Sequence, residues 1–242
     1  GPDFLAVHHP MVALVLSIAG LAGLTRIRNN TDLVRFLKPG APLFRDTLFI
    51  DRNLAGVYAL EFMVSRKDGR PLTGPEDMRA LEAIQGVAAG EVAVADSYSI
   101  ADVVRMIHKA ETGAEGTGLP ENRDDLLYIF DLLSADKEQT FLEKLISSDL
   151  SVARVRVRLH AIGTAEAAPL ARRLLDRGVG TFGDRYSLTP TGGFHQVTQD
   201  SNRMVRRQIL MFTLALAAVL LSIHVLFRSL RYTVIALIPA LV

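Results

Sequence analysis

Tyr58, Leu60, Phe62 and Val64 alternate with Ala59, Glu61 and Met63, the period-two pattern of a strand lying on a core. A polar run over residues 65–74 closes it, and Pro75 stands where a first helical turn tolerates proline. Met78, Leu81, Ile84 and Val87 then recur at helical spacing up to Gly90, predicting a short amphipathic helix. Residues 91–95 read as a second strand. Ser99 and Asp102 have the spacing of a capping box, with Tyr98 and Val103 placed as a hydrophobic staple for a helix reaching Lys109.

Beyond a glycine-rich break at 113–118, Leu126, Leu127, Phe130 and Leu133, then Phe141, Leu142 and Leu145, describe two more amphipathic helices. They predict a helical insertion over about 113–148. Residues 153–160 alternate strictly, Ala153, Val155, Val157 and Leu159 against Arg154, Arg156, Arg158 and His160, the clearest strand pattern in the chain. A helix around 165–175 and a strand over Tyr186–Thr191 follow. Upstream, 29–51 reads as mixed and turn-rich, with Pro39, Gly40 and Pro42 breaking any long element. The order strand, helix, strand, insertion, strand, helix, strand predicts an α+β fold. Two split βαβ units of the ferredoxin-like type would carry their helices on one face of the sheet.

The ends are patterned differently. Of 53 charged residues only Asp3, Arg228 and Arg231 lie outside 26–208. Residues 209–227 form an uncharged apolar run that stops at Arg228, close to the roughly 20 residues a bilayer's hydrocarbon core requires. A shorter run over 11–25 reaches spanning length by including Phe4 to Val7 and the two histidines between. It reads as a transmembrane helix over 1–25 rather than a signal peptide, because a basic leading region and a small-residue cleavage site are missing. A third apolar run opens at 233 and reaches 242, so further spans are expected. The middle, 26–208, is the expected soluble domain, and the polar stretch 194–207 is placed to continue as helix into the second span.

The order of these features resembles the resistance-nodulation-division (RND) superfamily, and within it the MMPL-like exporters, hopanoid and other lipid transporters included. The residues that carry the resemblance are Thr31-Asp32, the series Asp46, Asp51 and Gly56 leading into a strand, the βαβ domain, Thr191-Gly192, the polar helix and second span, and Phe227-Arg228-Ser229 before the third. It covers nearly the whole chain, and 36–64 looks more like the second of the family's two repeat units than the first. The resemblance implies a multi-pass protein of the bacterial inner membrane with the large loop in the periplasm. It also implies proton-coupled export of hydrophobic or lipid-like substrates, and partners among membrane lipids, further copies of the chain or a periplasmic adaptor. The family's proton-relay helix falls beyond Val242, so no relay residue is assigned. Basic residues at both edges of the loop (Arg26, Arg28, Arg35, Arg203, Arg206, Arg207) would favour the cytoplasm for a short loop, but long domains translocate largely regardless of charge. Two other plans share parts of this layout: a two-span sensor or chemoreceptor, and a protein-export subunit of the SecD/SecF type. A sensor would continue into a long polar helix where an apolar run opens here.

Candidate chemistry is sparse. Arg154, Arg156 and Arg158 share one face of a strand, suited to an anionic lipid headgroup or an acidic partner, or to plain solvation. His224 lies inside an apolar span, where an ionisable group is costly; close to Arg228, it can also reach the interface as a neutral imidazole. His8 and His9 are adjacent, so on a helix they point about 100° apart and do not share a metal. The glycines of 113–118 lack the Lys-Ser/Thr of a phosphate loop, and no nucleophile elbow or zinc-protease motif occurs. Phe44, Phe49, Phe62 and Phe182, candidates to line an apolar path, read as core. With no cysteine and a net charge of +1, disulfides, zinc-thiolate sites and a nucleic-acid field are excluded. The expectation is of no enzyme, no cofactor and no metal.

Overall fold

The computed structural model describes residues 30, 32, 34–112, 118–135 and 142–228. Along them run four strands, β1 (Tyr58–Arg66), β2 (Val94–Tyr98), β3 (Val152–Leu159) and β4 (Tyr186–Thr191). Six α-helices accompany these: α1 (Pro42–Ile50), α2 (Pro75–Ala89), α3 (Ile100–Thr112), α4 (Arg123–Ala135), α5 (Thr164–Phe182) and α6 (Gly193–Phe227). The chain divides into two compact units, and Asn30–Gln199 holds the sheet.

The strands form one antiparallel sheet in the order β2-β3-β1-β4. Phe62 pairs with Val155 on one side and Pro190 on the other. Since β1 and β2 both run against β3, they are parallel to each other with β3 between them, and β3 and β4 are likewise parallel with β1 between. Each β-α-β connection therefore skips a strand contributed by the other.

Alternation decides which face is buried. Leu60, Phe62 and Val64 of β1 and Ala153, Val155, Val157 and Leu159 of β3 are all within 1 % of complete burial. They join one core with Met78, Leu81 and Ile84 of α2 and Leu170 and Leu174 of α5. The opposite phase, from Ala59, Glu61 and Met63 to the three arginines, is half-buried or exposed.

Several expectations are met and several are displaced. Pro75 opens α2. The Ser99 N–H donates to Asp102 Oδ2 at 2.9 Å and Ala101 N–H to Ser99 Oγ at 3.2 Å, which specifies the start of α3. That helix continues past Lys109 to Thr112. β2 begins at Val94 because residues 91–93 are spent on a turn, closed by Val94 N–H to Glu91 O at 2.9 Å, with Val92 98 % exposed. In the insertion α4 forms as expected, whereas the second expected helix is only a 3₁₀ turn, Leu142–Lys144. A bridge from Ile146 to Ala153 follows it. Phe141, the glycines of 113–117 and residues 136–140 lie outside the described residues.

The turn-rich reading of 29–51 is corrected by α1: Pro42 starts a helix there instead of breaking one. The helix runs on into a π-type turn, Asp51–Ala55. No residue of either element is buried, and Phe49, read as core, is 62 % exposed. The C-terminal end of this segment is tied down by Ala161 N–H donating to Asp51 Oδ1 at 2.8 Å.

Gly192, at φ +93°, turns β4 into α6, and Phe194 stacks on Tyr58 with centroids 4.4 Å apart. The polar stretch and the expected span are one helix. Its Gly193–Leu226 portion is long and apolar enough to cross a membrane, and none of its most apolar stretch is buried. At 1.5 Å per residue it measures about 50 Å, against about 30 Å of hydrocarbon. The expected first span, 1–25, and third run, 233–242, lie outside the described residues.

Candidate functional site

The open face of the sheet is where sequence and structure meet. Register places Glu61 opposite Arg156, Met63 opposite Arg154 and Ala59 opposite Arg158, so one acid stands among three bases. Arg156 donates from Nε at 2.9 Å and Nη2 at 2.6 Å to the same Glu61 oxygen, and from Nη1 to the Tyr98 hydroxyl at 3.0 Å. Its guanidinium also lies 5.9 Å from the Tyr98 ring centroid. Arg158 donates to the Gly56 carbonyl at 3.3 Å. Arg154 makes one longer approach, 3.6 Å, to the other Glu61 oxygen.

The basic row thus resolves into three different roles. Arg156 cross-links β2, β3 and β1, Arg158 holds the chain leading into β1, and Arg154 is the base left with most of its donors uncommitted among the described contacts. Glu61, only 13 % exposed, has Gly192 packed against its side chain, where a Cβ would stand 3.2 Å from Cγ. His224 stands half-buried in the last turns of α6, its carbonyl accepting from Arg228 N–H at 2.8 Å.

A cleft of about 240 Å³ opens beside Arg154, lined also by Met63, Lys144, Leu145, Ile146 and Val152. Its rim is shaped by the loop after the 3₁₀ turn, where Ser147 Oγ and then Ser151 Oγ hydrogen-bond to Asp149 and hold its carboxyl down at about 2. Because the folded value is depressed, that stabilisation is complete above the ordinary carboxyl value of about 3.9 and is lost as pH falls through about 2. The expected outcome is an Asp149 carboxyl NMR titration with its midpoint near 2 in the wild type. In Ser147→Ala it moves toward the ordinary value.

A second cleft, also about 240 Å³, lies at the start of α2, with Arg66, Arg70, Thr73 and Arg123 in its wall. Its bases are already answered. Arg66 contacts Asp77 at 2.9 Å, Asp68 at 3.1 Å and Glu76 at 3.4 Å, and Arg123 donates to Thr73 Oγ1 at 3.2 Å. Asp77, with no exposed side-chain surface, also accepts from the Tyr186 hydroxyl at 2.7 Å and from Gly74 N–H at 2.8 Å. Burial, followed by the hydrogen bond to Asp77, pushes the Tyr186 phenol far above its ordinary value. Stability tied to the neutral phenol is complete below about pH 10 and fades as pH rises beyond it. A tyrosinate absorbance titration should therefore show a late-ionising group that Tyr186→Phe removes.

No family model and no curated protein matches the chain. Among the described residues no three His, Asp or Glu side chains gather to hold a metal ion. The sequence reading placed Glu61 and Met63 in a strand and Tyr98 in a staple, but gave none of them, nor Lys144, a part in the site. Glu61 and Met63 could have been found: they occupy the outward phase of β1, and opposite charges are favourable cross-strand pairs.

Proposed function

We propose that the chain is part of an inner-membrane, proton-coupled exporter of the RND/MMPL type that moves hydrophobic or lipid-like substrates. Its α+β domain forms part of the substrate path or gate on the periplasmic side. The observation that carries this reading is the strand order β2-β3-β1-β4 with interleaved β-α-β connections, the arrangement of ferredoxin-like domains. One glycine turn later it leads into a helix apolar enough to cross a bilayer. The motif residues support the reading in kind: Asp32 accepts from Val34 N–H at 3.0 Å, Asp51 from Ala161 N–H at 2.8 Å, and Gly56 lies against Leu159. They hold the segment that leads into the sheet, a scaffold role suited to a domain that carries its site on its surface.

Cells lacking the protein are expected to retain one lipid class in the inner membrane, its arrival in the outer membrane falling several-fold, with the same defect when the proton gradient is collapsed. Unchanged lipid distribution together with an altered transcriptional response would favour a sensor and sink the exporter.

A further inference from the structure

We propose that the cleft beside Arg154 binds the acyl chain of a single-chain anionic amphiphile, its oxyanion headgroup held by Arg154 and Lys144. The proposal deepens the exporter reading and rests on it for its place in transport, while the binding itself rests on the cleft.

The cleft's composition fits such a ligand at both ends. Its apolar lining comes from Met63, Leu145, Ile146 and Val152. Leu145 and Ile146 are 2 % and 3 % exposed and anchored in the core, whereas Met63 is 41 % exposed on an otherwise polar sheet face. Met63 thus supplies the exposed apolar surface at the mouth of the cleft, and methionine's flexible thioether adapts to chains of varied shape.

Charge decides the headgroup. Glu61 commits one oxygen to two donors of Arg156 and leaves Arg154 a single approach of 3.6 Å, so the Arg154 guanidinium keeps donors in the forked geometry that carboxylate and phosphate oxygens match. Lys144 and Glu143 also line the cleft, so with Arg154 the wall carries two positive charges against one negative. About 240 Å³ lies below the roughly 300–1,000 Å³ of drug-sized pockets, room for a segment of a single acyl chain.

The test uses the full chain in phosphatidylcholine nanodiscs. The protein has no cysteine, so Met63→Cys supplies a single reporter, read by its alkylation rate with a charged maleimide. Laurate is expected to slow alkylation at least fivefold, while acetate and dodecyltrimethylammonium leave it unchanged, and a reporter at Val92→Cys is unaffected by any of them. Adding Arg154→Glu and Lys144→Glu should weaken laurate protection at least tenfold, and Arg154→Lys should largely retain it. Equal protection by the cationic amphiphile, no protection by laurate, or protection that survives charge reversal overturns the proposal. The comparison of laurate with its cationic counterpart needs no charge variant, so it decides even if one fails to fold. Failure of the cleft leaves the exporter reading to the lipid-distribution experiment. An absent export defect beside intact laurate binding removes the exporter and keeps the site.

Discussion

Asp77→Ala is expected to destabilise the sheet domain by about 3 kcal/mol, the scale of taking a buried acceptor from one charged and two neutral donors. Asp77 is wholly enclosed and receives three donors: the Arg66 guanidinium, the Tyr186 hydroxyl and the Gly74 N–H that begins α2. Its removal takes this acceptor from all three at once. Arg66 keeps Asp68 and Glu76, which tempers the loss, but Tyr186 is 6 % exposed and lies beneath the Arg66 guanidinium. Amide hydrogen exchange at Phe62, in the central strand, should accelerate roughly a hundredfold, the equivalent of about 3 kcal/mol. Replacing both partners, Arg66→Met with Asp77→Leu, should cost less than Asp77→Ala alone, because no charge is left buried. An exchange rate unchanged in Asp77→Ala would show that the cluster does not hold the sheet.

The other large effect belongs to Gly56→Ala. Gly56 sits at φ +72°, and a Cβ there would overlap the Leu159 carbonyl oxygen. With ψ at 171° this is a backbone region essentially confined to glycine, costing an L-residue on the order of 1–3 kcal/mol by itself. The clash adds to it, because the same carbonyl accepts the Val57 N–H at 2.9 Å and cannot retreat without breaking the first rung of the β1–β3 pairing. A total of about 3 kcal/mol or more is expected, read as faster exchange throughout β1. Gly40 is the comparison: at φ +89° it has open space around its would-be Cβ, so Gly40→Ala should pay only the conformational cost. Equal losses at the two positions would mean that the close approach to Leu159 contributes nothing.

Three strands were legible in the sequence for one physical reason. β1, β3 and β4 have one face on a core and one face open, so their side chains alternate; β4 spans the expected residues, while β1 runs two residues further, to Arg66, and β3 lies one residue earlier, at Val152–Leu159. β2 was misplaced because its apolar residues continue from a turn, and the pattern alone does not say where the turn ends. α1 was hidden by Pro39, Gly40 and Pro42, which read as breakers until Pro42 is recognised as a first-turn residue. The overestimated insertion helix shows the converse: Leu142 and Leu145 have helical spacing, yet Leu145 and Ile146 are buried from a loop that bridges to β3.

The site was half legible. The phase of Arg154, Arg156 and Arg158 could be read directly. Their inequality could not, because it depends on Glu61, 95 residues away from Arg156 in sequence, and on a register that only the folded sheet provides. Lys144, Leu145 and Ile146 of the cleft come from the 3₁₀ turn and the irregular loop before β3, where periodicity carries no signal, whereas Met63 and Val152 stand on β1 and β3.

An exporter's sheet domain must stand outside the inner membrane, so its location decides the proposed function. Val92→Cys, on the exposed turn before β2, adds a thiol to a sequence that has none, to be challenged in intact cells with a membrane-impermeant maleimide beside the unsubstituted protein. Labelling before lysis is the predicted result and places the domain on the periplasmic side. Labelling only after lysis, in correctly inserted protein, would put it in the cytoplasm and rule out the exporter.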